Sequence, residues 1–394
     1  MSLDAVDLAK GLISYRSDSS QSNRPVTEYV RSLVADLGFE IELVSYEGED
    51  DDGAGGAVPK DSLVARLGPS PTEGAAAGAP TGGMAYFAHT DTVPGTPWLD
   101  PDHDAFDPVL RDGKLFGRGA CDMKGSLASM LAAASRVDAA SLTQPLYIVC
   151  TADEEVGYGG ARAVSDRSRL YADLVAAADM HAIIGEPTLL EVVYAHKGGV
   201  AFTAVARGQS AHTSTAEGSN AMWKLVPFLT AIDEVRRETE TEAWWDDEFT
   251  PPTINLTISV TDDQPALNVK AAYAECRGSF RPSPRTATDT LVEKIAQAAA
   301  ATGVEYVETG RSEPIYTPPD SDVVRTMIEL TGVQRAMTAP YGTDASALDG
   351  LRNVVVCGPG SVDQAHKHDE SIAVDQLRAG ADLYERCAAR WCTG

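Results

Sequence analysis

The chain has 394 residues, of which 43% are hydrophobic, and its formal net charge at pH 7 is −26. This length predicts two or three domains with a large apolar core. The acidic balance disfavours nucleic acids and anionic membrane surfaces as partners, because both are bound through basic patches.

No apolar run reaches the ~20 residues that cross a bilayer, and the N-terminus lacks the basic and apolar regions of a secretory signal. A cytoplasmic protein is therefore expected. The six cysteines form no CxxC pair, which indicates reduced thiols in a chain of this length.

Strands alternate with helices in the first half of the chain. Apolar residues at helical spacing predict a helix over 26–37, with Pro25 at its start and Gly38 just past its end. Another helix is predicted after Asp122. Strands are predicted over 39–44, 63–67, 84–89, 146–151 and 182–185. This alternation predicts an α/β fold with a mostly parallel sheet that is covered by helices.

Two low-complexity stretches interrupt this part of the chain. Residues 47–60 are acidic and rich in glycine, and residues 68–83 are rich in Gly, Pro and Ala. We interpret both as surface insertions between neighbouring strands, without a functional role.

The pattern changes halfway along the chain. Strands are predicted over 199–207, 253–260, 271–280 and 304–308, and helices over 220–239 and 286–301. This βαββαβ order is a split βαβ unit that can form a separate α+β domain. A helix over 321–330 then resumes the earlier alternation. We therefore predict one domain formed by 1–195 and 312–394, interrupted by an inserted domain over 196–311.

Acidic residues and histidines recur where strands of the first domain end, which is where ligands bind in sheets of this kind. His89 and Asp91 lie two residues apart on a strand, so both side chains point to one face. The imidazole can then bind a metal while the carboxylate holds its other nitrogen. The remaining candidates are Asp122, Glu154, Glu155, Glu186 and His366.

Each of these residues has an ordinary structural explanation when it is considered alone. Asp122 could cap a helix, Glu154 and Glu155 could lie in a solvated turn, Glu186 could be a strand-end acid, and His366 could lie in a surface loop. Together they provide the oxygen and nitrogen ligands that two neighbouring divalent cations need. Such a pair would activate a water and leave one carboxylate for proton transfer.

Six motifs carry a resemblance to a known family. FAHTDTVPG, LFGRGACDMKG, TADEEVG, IIGEPT, GQSAHTS and GPGSVDQAHKHDE occur in the order seen in the acetylornithine deacetylase, succinyl-diaminopimelate desuccinylase and carboxypeptidase G family of metallohydrolases. The resemblance covers nearly the whole chain and is strongest to acetylornithine deacetylase. It implies a zinc-peptidase-like catalytic domain that carries an inserted lid and dimerisation domain.

The resemblance also implies the metal ligands. His89 and Glu186 would hold one metal, Glu155 and His366 would hold the other, and Asp122 would bridge them. The metals would be two Zn²⁺ per chain, with Co²⁺ or Mn²⁺ as substitutes. A cis peptide bond is implied after Asp122.

The implied reaction is hydrolysis of an amide bond, with a water activated between the two metals. Glu154 would be the general base, and Asp91 would orient the histidine at position 89. His212, in GQSAHTS, would stabilise the oxyanion across the interface of a homodimer formed through the lid. From its spacing alone, His212 is explained equally well as a polar residue that caps a turn.

Further residues match positions that approach the substrate. Arg281 corresponds to an arginine that binds the carboxylate of the substrate, which its planar fork suits, although a surface salt bridge is the simpler explanation. Asn255, Gly342, Thr343 and Gly358 correspond to residues around the same cleft.

The sequence allows three classes of small-molecule substrate. Residues 342–344 are Gly-Thr-Asp, where acetylornithine deacetylases generally have Cys-Thr-Glu. The Gly-Thr-Asp form is typical of more peptidase-like relatives. An N-acyl amino acid is the first hypothesis. A short peptide, cleaved by a dipeptidase or carboxypeptidase, and N-succinyl-diaminopimelate are the alternatives. A non-catalytic binding protein is disfavoured, because the set of motifs is complete.

Overall fold

The computed structural model describes residues 3–49, 56–71 and 81–393. The chain divides into two compact units. Unit 1 consists of 1–195, 316–337 and 343–394, and unit 2 consists of 196–315 and 338–342. Unit 2 therefore contains the segment in which the predicted elements follow the βαββαβ order.

The helices are named in chain order. The α-helices are α1 (Ala5–Ile13), α2 (Arg24–Asp36), α3 (Lys124–Ala134), α4 (Gly159–Arg167), α5 (Arg169–Ala176), α6 (Ala221–Thr239), α7 (Thr288–Thr302), α8 (Asp322–Thr331) and α9 (Val374–Cys392). Short 3₁₀ helices cover Ala139–Ser141, Glu242–Trp244, Asp344–Ala347 and Val362–Gln364. None of the helices in the described part of the chain has the length and apolar composition that crossing a membrane requires.

The strands are also named in chain order. They are β1 (Glu40–Glu49), β2 (Ala57–Leu67), β3 (Gly82–His89), β4 (Val109–Arg111), β5 (Lys114–Phe116), β6 (Leu146–Thr151), β7 (Asp179–Pro187), β8 (Val193–His196), β9 (Gly199–Arg207), β10 (Thr257–Asp262), β11 (Tyr273–Phe280), β12 (Glu305–Ser312), β13 (Ile315–Tyr316), β14 (Met337–Ala339), β15 (Val354–Gly358) and β16 (Ser371–Ala373).

The largest sheet within the described ranges has nine strands, in the order β1-β2-β6-β3-β7-β15-β8-β13, with β14 paired to β8. Its central strands β6, β3, β7 and β15 run parallel. The flanking strands β1, β2 and β8 pair antiparallel. Every residue of β3 and β6 is buried, as expected for apolar strands that are covered on both faces. The predicted α/β class is confirmed, with the parallel strands at the centre.

Helices enclose this sheet. α3 packs against α1 and α9, and the three helices share one apolar core with Met84, Tyr86 and Ala88 of β3. Ala85 and Phe87 point to the opposite face of the strand and are also fully buried. Every residue of α3 is buried, so this helix lies inside the core rather than on its surface.

The β1–β2 hairpin is longer than predicted, because β1 continues to Glu49 and β2 begins at Ala57. The prediction of a surface loop over 47–60 was therefore wrong at both ends of that stretch. The side chain of Lys60 is fully buried, and its ammonium group donates hydrogen bonds to two backbone carbonyls. These hydrogen bonds join the end of the predicted loop to Ser19 and Gln21, which precede α2.

The two predicted insertions are only partly described. Residues 50–55 of the first stretch and 72–80 of the second lie outside the described residues. The strands on either side of the second stretch, β2 and β3, are separated in the sheet by β6. The second stretch therefore does not connect neighbouring strands, contrary to the prediction, because a later strand inserts between them.

Unit 2 contains a four-stranded antiparallel sheet, as far as its residues are described, in the order β10-β11-β9-β12. α6 and α7 pack together and against this sheet, over a core that includes Phe202, Phe228 and Phe280. The chain order is the predicted βαββαβ. β10 begins at Thr257, later than predicted, because Asn255 has a left-handed φ of 50°, which is incompatible with a strand.

A small antiparallel sheet joins two distant segments of unit 1. Its strand order is β16-β5-β4, and Ser371 of β16 pairs with Phe116 of β5. One of these segments leads to Asp122, and the other follows His366. The pairing therefore fixes the two segments, both predicted to carry metal ligands, against each other.

Candidate metal centre

The five predicted ligands lie in unit 1, and the structure brings them together. His89 is the last residue of β3, and Glu186 lies near the end of β7. Asp122 precedes α3, Glu155 follows β6, and His366 follows the 3₁₀ helix over 362–364. Since the central strands are parallel, their carboxyl ends meet at one edge of the sheet, where these side chains converge.

Asp122 lies between the two histidines. Its Oδ1 is 3.0 Å from Nε2 of His89, and its Oδ2 is 3.3 Å from Nε2 of His366. Nε2 of His89 is also 3.8 Å from Oε1 of Glu186, and Nε2 of His366 is 2.9 Å from Oε2 of Glu155. The arrangement has two ends, each with one imidazole and one glutamate, and one carboxylate shared between them.

The position of Asp91 differs in detail from the prediction. Nδ1 of His89 is 3.0 Å from the backbone oxygen of Asp91 but 3.6 Å from its carboxylate. The carboxylate accepts hydrogen bonds from the hydroxyl of Ser19 at 2.8 Å and from the backbone N–H groups of Glu154 and Glu155 at 3.2 and 3.3 Å. Asp91 thus contacts the histidine mainly through its backbone and supports the turn that carries both glutamates.

Burial and mutual repulsion dominate the electrostatics of the glutamates. Burial raises the pKa of Glu154 and Glu186 well above the ordinary value, and neighbouring carboxylates raise it further. Burial also raises the pKa of Glu155, against the hydrogen bond from His366. A cluster of acids that is disfavoured in its ionised form would be stabilised by a bound cation.

The histidines have the opposite effect on Asp122. Burial alone would raise the pKa of this carboxyl, but hydrogen bonds from His366 and His89 lower it below its usual range. The same kind of contact, with Asp122 and Glu155, raises the pKa of His366 to about 10. The two histidines and Asp122 therefore stabilise one another's charged forms.

The donor set fits a divalent metal. One ligand atom each from His89, Asp122 and Glu155 lies within 4.8 Å of the others. Oε1 of Glu155 is buried without a hydrogen-bond partner among the described residues, so it is an oxygen that a cation would satisfy. Imidazole and carboxylate ligands at this spacing suit zinc and related metals.

The turn that carries the two glutamates has a support that the sequence did not predict. Asp153, immediately before Glu154, has a left-handed φ of 57°. Its carboxylate is 2.7 Å from the ammonium nitrogen of Lys60 and accepts a 2.7 Å hydrogen bond from the hydroxyl of Tyr46. Both partners come from the β1–β2 hairpin, whose acidic and glycine-rich sequence gave no sign of this role.

A second buried acid lies close to the centre. Asp344 is 2% exposed, its Oδ2 accepts a hydrogen bond from Thr151 at the end of β6, and burial raises its pKa to about 7. Asp344 directly follows Gly342 and Thr343, which are predicted to lie around the substrate cleft. In the structure this aspartate is part of the interior beneath the strand ends.

The predicted substrate residues are divided between the two units. Thr343 and Gly358 belong to unit 1, where Thr343 is buried and caps the following 3₁₀ helix. A Cβ at Gly358 would lie 2.1 Å from the backbone oxygen of Gly185, so close packing explains this glycine without a substrate. Gly342 belongs to unit 2 and is half-buried.

The other predicted substrate and catalytic residues lie in unit 2, and the structure describes their local surroundings. Arg281 directly follows β11 and is exposed, as is Asn255. His212 is exposed, and its Nδ1 is 2.7 Å from the hydroxyl of Ser214, within a turn. This contact agrees with the local, turn-capping explanation of His212.

Comparisons of sequence and of structure both relate this chain to metallopeptidases and deacetylases. The model of peptidase family M20/M25/M40 matches residues 85–390. Acetylornithine deacetylase from Pasteurella multocida is 32% identical over 95% of this chain and 93% of its own length. An M20 family metallo-carboxypeptidase from Sulfolobus solfataricus superposes with a TM-score of 0.73 at 16% identity, covering 98% of each chain. The di-peptidase Dug1p from Saccharomyces cerevisiae gives a TM-score of 0.72 at 16% identity, covering 98% of this chain and 96% of that one.

The Lys60–Asp153 contact generates a prediction about stability. Lys60→Met should lower the free energy of unfolding by about 3–5 kcal/mol, because it leaves the buried Asp153 carboxylate without its charge partner. Lys294→Met is the control, since Lys294 pairs with Glu238 at the surface, where ion pairs contribute less than about 1 kcal/mol. Chemical denaturation followed by circular dichroism measures both values. Equal losses in the two variants would contradict the role of Lys60.

Proposed function

The chain belongs to peptidase family M20/M25/M40, and from this premise we propose that it is a two-metal deacylase that removes the acyl group from an N-acyl amino acid. Family membership makes it a hydrolase of amide bonds. The observation that carries the finer proposal is the position of Asp122, with one carboxylate oxygen directed to His89 and the other to His366.

The proposed ligands follow from this symmetry. His89 and Glu186 would hold one ion, Glu155 and His366 the other, and Asp122 would contact both. Bound there, two Zn²⁺ ions, or Co²⁺ or Mn²⁺ in their place, supply Lewis acidity and lower the pKa of a coordinated water. The buried and mutually repelling glutamates support this proposal, because they gain the compensating charge that they lack without metal.

Glu154 is proposed as the general base. It lies beside the ligand Glu155, on a turn whose backbone N–H groups are held by the Asp91 carboxylate. Burial and the neighbouring acids raise its pKa well above the usual value, which suits a carboxylate that must first accept a proton and then donate it. It would take a proton from the attacking water and return it to the leaving amine.

The N-acyl amino acid is favoured because acetylornithine deacetylases match the chain over nearly its whole length. We propose that Arg281, exposed at the end of β11, binds the carboxylate of this substrate. Asn255, Gly342, Thr343 and Gly358 are proposed to lie around the substrate. The Gly-Thr-Asp sequence at 342–344 is the observation that favours the alternatives, a metallo-dipeptidase or carboxypeptidase, or a succinyl-diaminopimelate desuccinylase.

A cytoplasmic homodimer through unit 2 completes the proposal. β10 is at the edge of the antiparallel sheet, and every residue in it is exposed. Ile258 and Val260 on this strand are 45% and 37% exposed. An edge strand with unpaired backbone groups and accessible apolar side chains supports pairing with a second copy. His212 of each chain would then serve the site of the partner.

The substrate class is tested by a hydrolysis screen. Zinc-loaded protein should contain two ions per chain by elemental analysis, and it should cleave N-acetylornithine with a higher kcat/KM than N-succinyl-diaminopimelate or a panel of dipeptides. Chelation should abolish activity, and added Zn²⁺ should restore it, because the metals supply the Lewis acid. Full activity of the metal-free protein would overturn the two-metal proposal. A preference for dipeptides would overturn the deacylase proposal and support the peptidase alternative.

The role of Glu154 is tested by Glu154→Gln. This variant should keep both metals but lose at least ~10²–10⁴-fold in kcat, since proton transfer alone contributes about that much. Glu293→Gln, at an exposed position of α7, is the control and should leave kcat unchanged. Elemental analysis measures the metal content of each variant. An unchanged kcat for Glu154→Gln would exclude the general-base role. Loss of metal from this variant would indicate that Glu154 is a metal ligand instead.

Subunit complementation tests His212. Chains with Glu154→Ala and with His212→Ala should each be nearly inactive alone, because every site in either homodimer lacks one residue. Mixing them under conditions that exchange subunits should restore part of the activity, since each heterodimer has one intact composite site. If subunit exchange is demonstrated and the mixture stays inactive, His212 does not act across the interface.

A further inference from the structure

We propose that Glu370 is a positioning residue that holds Asp122 between the two histidines and thereby sets the affinity of the centre for its metal ions. The proposal rests on the metal-binding part of the proposed function. It assigns no direct contact with metal or substrate to Glu370. The residue would act through the backbone that carries the shared ligand.

Glu370 is fully buried, and the hydrogen bonds described for its side chain come from the segment before α3. Its Oε1 accepts hydrogen bonds from the backbone N–H groups of Cys121 at 2.8 Å and Asp122 at 2.9 Å. Its Oε2 accepts from the N–H of Gly119 at 3.0 Å and from the guanidinium of Arg118 at 2.7 Å. One carboxylate therefore satisfies three backbone donors and one buried charge.

The local sequence shapes this pocket for a carboxylate. Gly119 has a φ of 84°, a conformation that glycine adopts without strain. It turns the chain so that its own N–H group and those of Cys121 and Asp122 converge on one carboxylate, as in anion-binding turns of the backbone. The guanidinium of Arg118 is itself 2% exposed, so its charge depends on Glu370 for compensation.

The same contact connects two ligand-bearing segments. Glu370 lies four residues after His366, and the backbone N–H of Gly117 donates to the backbone oxygen of Glu370 at 3.1 Å. The pairing of Ser371 with Phe116 continues this connection as a sheet. The Glu370 side chain then extends it to the backbone N–H of Asp122. The Glu370 carboxylate thus fixes the backbone of Asp122. The backbone of Glu370 restrains the segment that carries His366.

A purely structural role would predict only a loss of stability. The positioning role predicts more, because Asp122 must reach both histidines with different oxygens, and a small shift of its backbone would separate one of them. Partners that orient metal ligands typically contribute 10–100-fold to metal affinity. Metal affinity is therefore the quantity that distinguishes the two roles, and it can be measured without substrate.

Glu370→Gln is the decisive variant, because it preserves the shape of the side chain but removes its charge and half of its acceptor capacity. Glu42→Gln is the matched control. Glu42 also accepts from two backbone N–H groups, of Leu170 at 2.8 Å and Arg169 at 3.0 Å, and from the hydroxyl of Ser168 at 2.8 Å. It holds the start of α5 and contacts none of the proposed ligands among its described partners.

The experiment titrates metal-free protein with Zn²⁺ in competition with a chromophoric chelator. It is repeated with Co²⁺, whose absorption spectrum reports the ligand geometry. Glu370→Gln should weaken binding of at least one ion about 10–100-fold and alter the Co²⁺ spectrum. Glu42→Gln should match the wild type in both readouts. Thermal unfolding of the metal-free proteins measures the loss of stability separately.

Wild-type affinity for both ions in Glu370→Gln would overturn the inference, as would an equal loss of affinity in Glu42→Gln. If Glu370→Gln does not fold, Glu370→Asp replaces it, since it keeps the charge but shortens the reach to the four donors. That variant should also bind metal more weakly, and wild-type binding would count against the proposal. Failure of the wild type to bind two ions would overturn the proposed metal centre itself, which separates the two outcomes.

Discussion

The structure depends on holding several carboxylates together at one edge of a sheet, where they repel one another. Burial and mutual repulsion raise the pKa of Glu154 and Glu186. Asp122, with a histidine at each oxygen, instead has a pKa below its usual range, because the two histidines outweigh the effect of burial. Such a cluster costs free energy without a cation, so the surrounding fold must restrain it.

The restraint comes from acids that lie next to the proposed ligands in sequence. Asp91 accepts hydrogen bonds from the backbone of the turn after β6. Asp153 forms an ion pair with the buried Lys60, and Glu370 forms one with the buried Arg118. Each of these acids uses its oxygens on protein donors, and each lies within four residues of a proposed ligand. The proposed ligands keep oxygens available for a metal because their neighbours satisfy the local backbone and the buried cations.

This division of roles explains what the sequence predicted and what it missed. Buried strands were located within a few residues, since unbroken apolar runs such as 84–89 and 146–151 allow few other structures. The recurrence of acids and histidines at predicted strand ends, together with the family resemblance, identified the residues that the structure brings together. The supporting contacts were missed because their partners are far apart in sequence. Glu370 and Arg118, for example, are separated by 252 residues, a distance at which local patterns carry no information.

The two units also contribute differently to the proposed function. The candidate metal centre lies at one edge of the sheet in unit 1, where His89 and Glu186 are buried and His366 is exposed. Its side chains contact one another, so a substitution there disturbs several contacts at once. Arg281, Asn255 and His212 lie in unit 2 and are exposed, so substitutions there cost little stability. With the proposed substrate roles of these residues, substrate preference would change on the surface of unit 2 while the proposed centre in unit 1 kept the same chemistry. Such a division of roles would let one fold serve both deacylases and peptidases, so that family membership determines the reaction class more directly than the substrate.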